Sequence, residues 1–122
     1  MACAGLRDAG KRPVVTLIQD YTAAHAYNLV LSNPSADGFV CLSDELAVAT
    51  RHILLAQGKP VADRILGFDG TDLARSQGIP SVNQGLNDIG QIVAEEFLAF
   101  FRQPPQHRIE CKEVEVDVSL QW

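Results

Sequence analysis

Apolar positions along this chain switch repeatedly between the period of a strand and that of a helix. Pro13 to Ile18, PVVTLI, is β-branched and almost continuously apolar, the pattern of a strand covered on both faces. Tyr21 to Leu31, YTAAHAYNLVL, has a helical composition. Thr22 stands where its cap belongs, and Asn33-Pro34 closes it. Gly38 to Leu42, GFVCL, predicts a short buried strand. Ser43 or Asp44 then caps a helix over Glu45 to Gln57, and Gly58 follows its end. Arg64 to Phe68 reads as a third strand and Thr71 to Ser76 as one helical turn. Ile79 to Asn83 is a short strand whose Pro80 places it at an edge or a crossover.

Leu86 to Arg102 carries the clearest helical signal. Leu86, Ile89, Val93, Phe97 and Phe100 fall at spacings of three and four, and Pro104-Pro105 stops the run. Arg108 to Leu120 alternates: Val114, Val116, Val118 and Leu120 stand against Glu113, Glu115, Asp117 and Ser119. This is a strand with one exposed face, at a sheet edge, with a bulge near Lys112 where the parity slips. Alternating strands and helices with apolar central strands predict a three-layer α/β/α domain around a mostly parallel, Rossmann-like sheet. Ligands of such sheets bind outside the carboxyl ends of the strands. Those ends are Gln19-Asp20-Tyr21, Ser43-Asp44 and Asp69-Gly70.

Length and composition narrow the classes. A chain of 122 residues is one domain, and 47% hydrophobic with 20% charged residues is ordinary for a folded protein. No apolar run is long enough to span a bilayer, and no secretory signal opens the chain. The net charge of −5 argues against this chain gripping nucleic-acid phosphates itself. Cys3, Cys41 and Cys111 are odd in number and widely spaced, without CxxC, which fits a reducing, cytoplasmic setting and no metal site.

Each strand end offers a group suited to a small polar ligand. Tyr21 has a flat face for stacking, Ser43 a hydroxyl, and Asp69 a carboxylate that accepts two hydroxyl protons of a polyol at once. Taken singly, each also has a structural reading: a cap for Ser43 or Asp44, a turn for Asp69-Gly70, helix packing for Tyr21. No phosphate-binding loop is present. Cys41 with His25 or His52 would be a poor nucleophile pair, because Cys41 lies inside a strand. A catalytic site and a cofactor are therefore not expected. A receiver-type signalling domain fits the length and the element order. It would use Asp20 and Asp69, but it requires a late lysine where Asn83 and Gln84 stand.

Three runs, GFVCLSDELAVA, RILGFDGTDLA and IPSVNQGLNDIGQIVAEEFLAF, resemble the lactose-repressor/galactose-repressor family of bacterial transcription regulators. Ser43-Asp44-Glu45-Leu46-Ala47 stands for the family's "ND.MA", and Gly67-Phe68-Asp69-Gly70 for its "GFDD". Ile79 to Gln84 stands for "LTTV.Q". The leading CAGLRDAGKRP resembles the end of the family's "R..GF..AL...G" helix. Ser43 replaces the usual Asn, Gly70 replaces a frequent second Asp, and the stretch from Asp69 to Gln84 looks about two residues short. The last strand lacks "LVVRES".

The resemblance implies the C-terminal subdomain of a periplasmic-binding-protein-like effector region. Residues 1–122 would be a single subdomain of a longer regulator, without its DNA-binding head and N-terminal effector subdomain. It implies a sugar or nucleoside-like effector held by Tyr21, Ser43, Asp69 and Gln84, and DNA contact only through the absent head. It further implies a homodimer formed by the helix from Glu45 and the loop after the third strand. Val48, Arg51, His52, Leu55, Thr71 and Leu73 would lie in that interface, with Leu46-Ala49-Ile53-Ala56 covering the sheet.

Overall fold

The fold was analysed in a computed structural model that describes residues 7–17, 22–104 and 115–121. Its elements run α1 (Ala23–Ser32), β1 (Phe39–Val40), α2 (Asp44–Ala56) and β2 (Ile65–Asp69). They continue through α3 (Asp72–Ser76), β3 (Ser81–Asn83), α4 (Leu86–Arg102) and β4 (Ser119–Gln121). The four strands form one open sheet in the order β1-β2-β3-β4. β1 and β2 are parallel, with Phe39 opposite Ile65. β2 and β3 are parallel, with Asp69 opposite Asn83. β4 returns antiparallel to β3, with Ser119 opposite Asn83. The mostly parallel α/β sheet read from the sequence is the observed fold class.

The core lies where α1 meets α2 and where α2 covers the first strands. It gathers Ala26 and Val30 from α1, Leu46, Ala47 and Leu54 from α2, Phe39 and Ile65 from the strands, Cys41 from just after β1, and Ala74 and Ile79 from the α3 region. The helix ends follow local chemistry. Thr22 takes the N-cap position of α1, and Asn33 at its other end donates its side-chain amide to the Leu29 carbonyl at 2.8 Å. After α2, the Gly58 N–H bonds the Leu55 carbonyl and the Lys59 N–H bonds that of Leu54, the paired closure expected of a glycine-terminated helix. Gly78 and Ile79 close α3 in the same way onto Arg75 and Ala74.

Several expectations are corrected. Pro13–Leu17 is not a strand: Val14, Val15 and Leu17 are exposed, Leu17 to 92%. An apolar β-branched run becomes a strand only through its ladder partners, and no strand pairs with this one among the described residues. The buried face of α2 is Leu46, Ala47, Thr50 and Leu54, not Leu46-Ala49-Ile53-Ala56. Thr50 turns inward because its hydroxyl partners the Cys41 thiol at 3.8 Å, which makes a polar residue acceptable inside. Ile79–Asn83 is not an edge: β3 is central, and Pro80 sits just before it with its carbonyl accepting from Gly67 N–H. The helix over Leu86–Arg102 forms as read, but none of its residues is buried. The last strand is shorter than read, Ser119–Gln121, with residues 115–118 outside it and Val118 and Leu120 exposed; among the described residues it does lie at a sheet edge, and the expected bulge near Lys112 lies outside them.

The N-terminus of α2 departs furthest from its local reading. Ser43 is the cap, its Oγ accepting from Leu46 N–H at 3.2 Å. Asp44 is the first helical residue and is fully buried. Its Oδ2 accepts from both the N–H and the hydroxyl of Thr71, each at 2.7 Å, and its Oδ1 accepts from the Ser81 hydroxyl. Gly67 passes so close that a Cβ there would overlap Asp44 Oδ1.

Three substitutions test this packing. Ser43→Ala removes one cap bond and is expected to cost about 1 kcal/mol. Asp44→Ala strands the buried Ser81 hydroxyl and the two part-buried donors of Thr71 and is expected to cost about 3 kcal/mol or more. Urea unfolding of both variants checks the order; equal losses would refute the anchoring role of Asp44. Gly67→Ala is expected to destabilise by roughly 1–3 kcal/mol through overpacking, read as a lowered melting temperature.

Candidate functional site

β2 and β3 run parallel and in register, so their carboxyl ends emerge side by side. Asp69 closes β2 and Asn83 closes β3 opposite it, which brings the next residue, Gln84, to the same rim. The Gln84 side-chain amide donates to Asp69 Oδ1 at 2.7 Å. The N-terminus of α2 borders this pair, and the Asp44 backbone N–H bonds the Asp69 carboxylate. Asp69 holds a positive φ of 127°, a strained setting for a residue with a side chain.

Charge and burial act together on Asp69. Partial burial raises its pKa above the ordinary carboxylate value, and the negative charges of Asp44 and Glu45 add to that. The hydrogen bonds from Asp44 N–H and Gln84 pull the other way without cancelling the rise. The result is a carboxylate at a strand end, held in place by two donors and only part-buried. Such a group can accept hydrogen bonds from hydroxyls of a polar ligand.

The loop around the pair is fixed by close approach. Gly70 has φ +70°, and its N–H donates to the Ser81 hydroxyl at 3.0 Å. A Cβ on Gly70 would stand 2.6 Å from Asn83 Cα. Asn83 in turn accepts the Gly85 N–H at 2.8 Å with its side chain. The sequence reading passed over Asn83 as a candidate; its signal was its place directly before Gln84, at the end of a strand.

The structure brings Asp69 and Gln84 together and places Ser43 one residue before Asp44. Ser43 is buried, with its hydroxyl already engaged as the α2 cap. Tyr21, read as the stacking residue, and Asp20 lie outside the described residues, as do Cys3 and Cys111. Asp44 acts through Thr71 and Ser81 to hold the loop behind the rim. Gln84, not a lysine, faces Asp69.

Other groups that could carry chemistry are structural in their surroundings. Burial pushes the Cys41 thiol up to about 11, only partly offset by its bond to Thr50, so it holds its proton at neutral pH. A cavity of about 410 Å³ lies at the opposite ends of the strands, lined by Arg51, Val61, Asp63, Ile65, Ile79 and Pro80 among others. No cluster of three or more His, Cys, Asp or Glu residues capable of holding a metal occurs among the described residues. Among these residues, no helix is long and apolar enough to cross a membrane.

No family model and no curated protein matches this sequence. Solved structures do match. A transcriptional regulator, CelR, in complex with cellobiose aligns at 22% identity and a TM-score of 0.78, over 98% of this chain and 39% of that one. A LacI family transcriptional regulator from Enterococcus faecium with bound ribose aligns at 20% identity and 0.79, over 98% and 46%. The transcription regulator CcpA of Lactococcus lactis aligns at 21% identity and 0.72, over 99% and 46%. The chain thus spans less than half the length of these regulators. The sheet order and these alignments converge: the chain has the periplasmic-binding-protein-like α/β fold of the aligned part of these transcriptional regulators.

Proposed function

We propose that this chain is the C-terminal part of the effector-sensing region of a bacterial transcriptional regulator, and that its effector is a sugar. The observation that carries the reading is the Asp69–Gln84 pair at the carboxyl rim of β2 and β3. Gln84 occupies one oxygen of Asp69, and the rest of the carboxylate is available to ligand hydroxyls. The similarity to regulators crystallised with cellobiose and with ribose supports a polyol as the ligand class. A nucleoside-like effector presents the same ribose hydroxyls. In the full regulator, a second subdomain would cover the ligand, and closure over it would shift the protein between two DNA affinities. DNA contact would belong to a separate head domain.

We also propose a homodimer through the outer face of α2 and the start of α3. Leu55 and Leu73 are 45% and 41% exposed, and His52 is exposed beside them. Arg51 is half-buried, and the hydroxyl of Thr71 is committed to Asp44. Val48 packs partly against the core, so Leu55 is the cleaner position to test.

The chain carries one half of the binding cleft, so affinity for ribose or cellobiose is expected near the millimolar range. Titration of either sugar into labelled protein should shift the amide resonances of Asp69, Gly70, Asn83 and Gln84, and Asp69→Asn should remove the response. Shifts confined to other residues would refute the site. The response has a definite pH dependence. Because the Asp69 pKa is raised, the acceptor carboxylate is lost on acidification before an ordinary aspartate would be, so binding should weaken early. The same shift makes folding stability fall as pH rises from the ordinary to the raised pKa, and Asp69→Asn should flatten that slope. For the dimer, Leu55→Asp is expected to give a folded monomer, with sedimentation as the readout; a wild-type chain that sediments as a monomer at high micromolar concentration would refute this interface.

A further inference from the structure

Asn83 leaves half of its side chain unspent at the rim. It ends β3 directly opposite Asp69, the last residue of β2, and neighbouring strands lie about 4.8 Å apart. Its Oδ1 accepts the Gly85 N–H at 2.8 Å. An N–H requires an oxygen, so this bond fixes which way the amide is turned: the carbonyl is committed to the backbone and the NH2 group points elsewhere. Asn83 is only half-buried, and no acceptor meets its Nδ2 among the described residues. Asp69 does not take it either, since the carboxylate is held by Gln84 and by the Asp44 N–H.

The amide is also held in place. A Cβ on Gly70 would come within 2.8 Å of Asn83 Cγ, so the amide carbon packs against the residue that follows Asp69. The Gly85 bond grips its other side. The two strand ends thus set an acceptor, Asp69, next to an idle donor, Asn83.

That pairing suits one kind of ligand group. A hydroxyl donates and accepts at the same oxygen, whereas an ammonium only donates and an ionised carboxylate only accepts. Asp69 alone would take a hydroxyl or an ammonium. Beside the Asn83 NH2, an ammonium meets a second donor and leaves it unmatched under the ligand, which is where such a site discriminates.

We propose that Asn83 is a specificity-determining residue: its side-chain NH2 donates to the ligand hydroxyl that itself donates to Asp69, and so favours neutral polyols over amino-bearing ones. The proposal deepens the reading of this rim as a sugar site and rests on it.

Asn83→Asp is the discriminating substitution, because it keeps an acceptor for the Gly85 N–H and exchanges the free donor for an acceptor. Ribose titrated into labelled protein at neutral pH should bind about tenfold more weakly to Asn83→Asp than to wild type. Asn83→Ala, which removes the donor without adding a charge, should weaken ribose as well. Glucose and glucosamine differ in one group, a hydroxyl against an ammonium, and Asn83→Asp should move the preference between them toward glucosamine. If Asn83→Asp binds ribose as wild type does, or loses ribose and glucosamine alike, Asn83 selects nothing and the proposal falls while the sugar reading stands. A wild-type chain whose rim amides ignore ribose, or a response that survives Asp69→Asn, would instead sink the sugar reading and this proposal with it.

Discussion

A buried carboxylate must be matched by donors, and in this fold Asp44 finds them in two segments far along the chain. Thr71 follows β2 and Ser81 opens β3, so one side chain ties the start of α2 to both strands that build the rim. Everything at the site is placed relative to that anchor. Gly67 yields the space for it, Ser81 extends it to Gly70, and the Asp44 backbone N–H reaches Asp69. The arrangement is rigid because each polar group is used by another element, and the buried side-chain polar atoms among the described residues all have partners.

The rim inherits its character from this anchoring. Partial burial first, and then the negative charge of the fixed Asp44 beside it, make Asp69 hold its proton more tightly than in water. The same neighbour offers its helix-terminal N–H as a donor, so repulsion and positioning come from one residue. Gln84 enters from the far side, on the segment linking β3 to α4. A ligand at Asp69 would therefore touch the body of the sheet and the connection to α4 at once.

Elements set by short-range chemistry were legible in the sequence. α4 ran as expected from Leu86 to Arg102, because its spacing and the prolines behind it act within one helix. The turn of α3 and the glycine after α2 were equally plain. What escaped were features fixed by distant partners. The roles of Ser43 and Asp44 could not be separated locally, since both are good caps and only Thr71 and Ser81 distinguish them. Thr50 read as a polar break in α2, yet it belongs inside because Cys41 meets it there. Pro13–Leu17 had the composition of a strand, but composition carries no information about whether a neighbouring strand is present. At the site, Asp69 and Gln84 were both identifiable from motif position, whereas Asn83 mattered through its approach to Gly70.

That approach limits how such a site can evolve. The resemblance to transcription regulators sets an aspartate where this chain has Gly70, and here any side chain would meet both a left-handed backbone and the Asn83 main chain. A larger residue at this position would have to push β3 outward, carrying Gln84 away from Asp69. Change at this rim is thus barred from the loop closest to the carboxylate. It must proceed through positions that leave the β2–β3 spacing untouched, so selectivity and sheet geometry can be inherited separately.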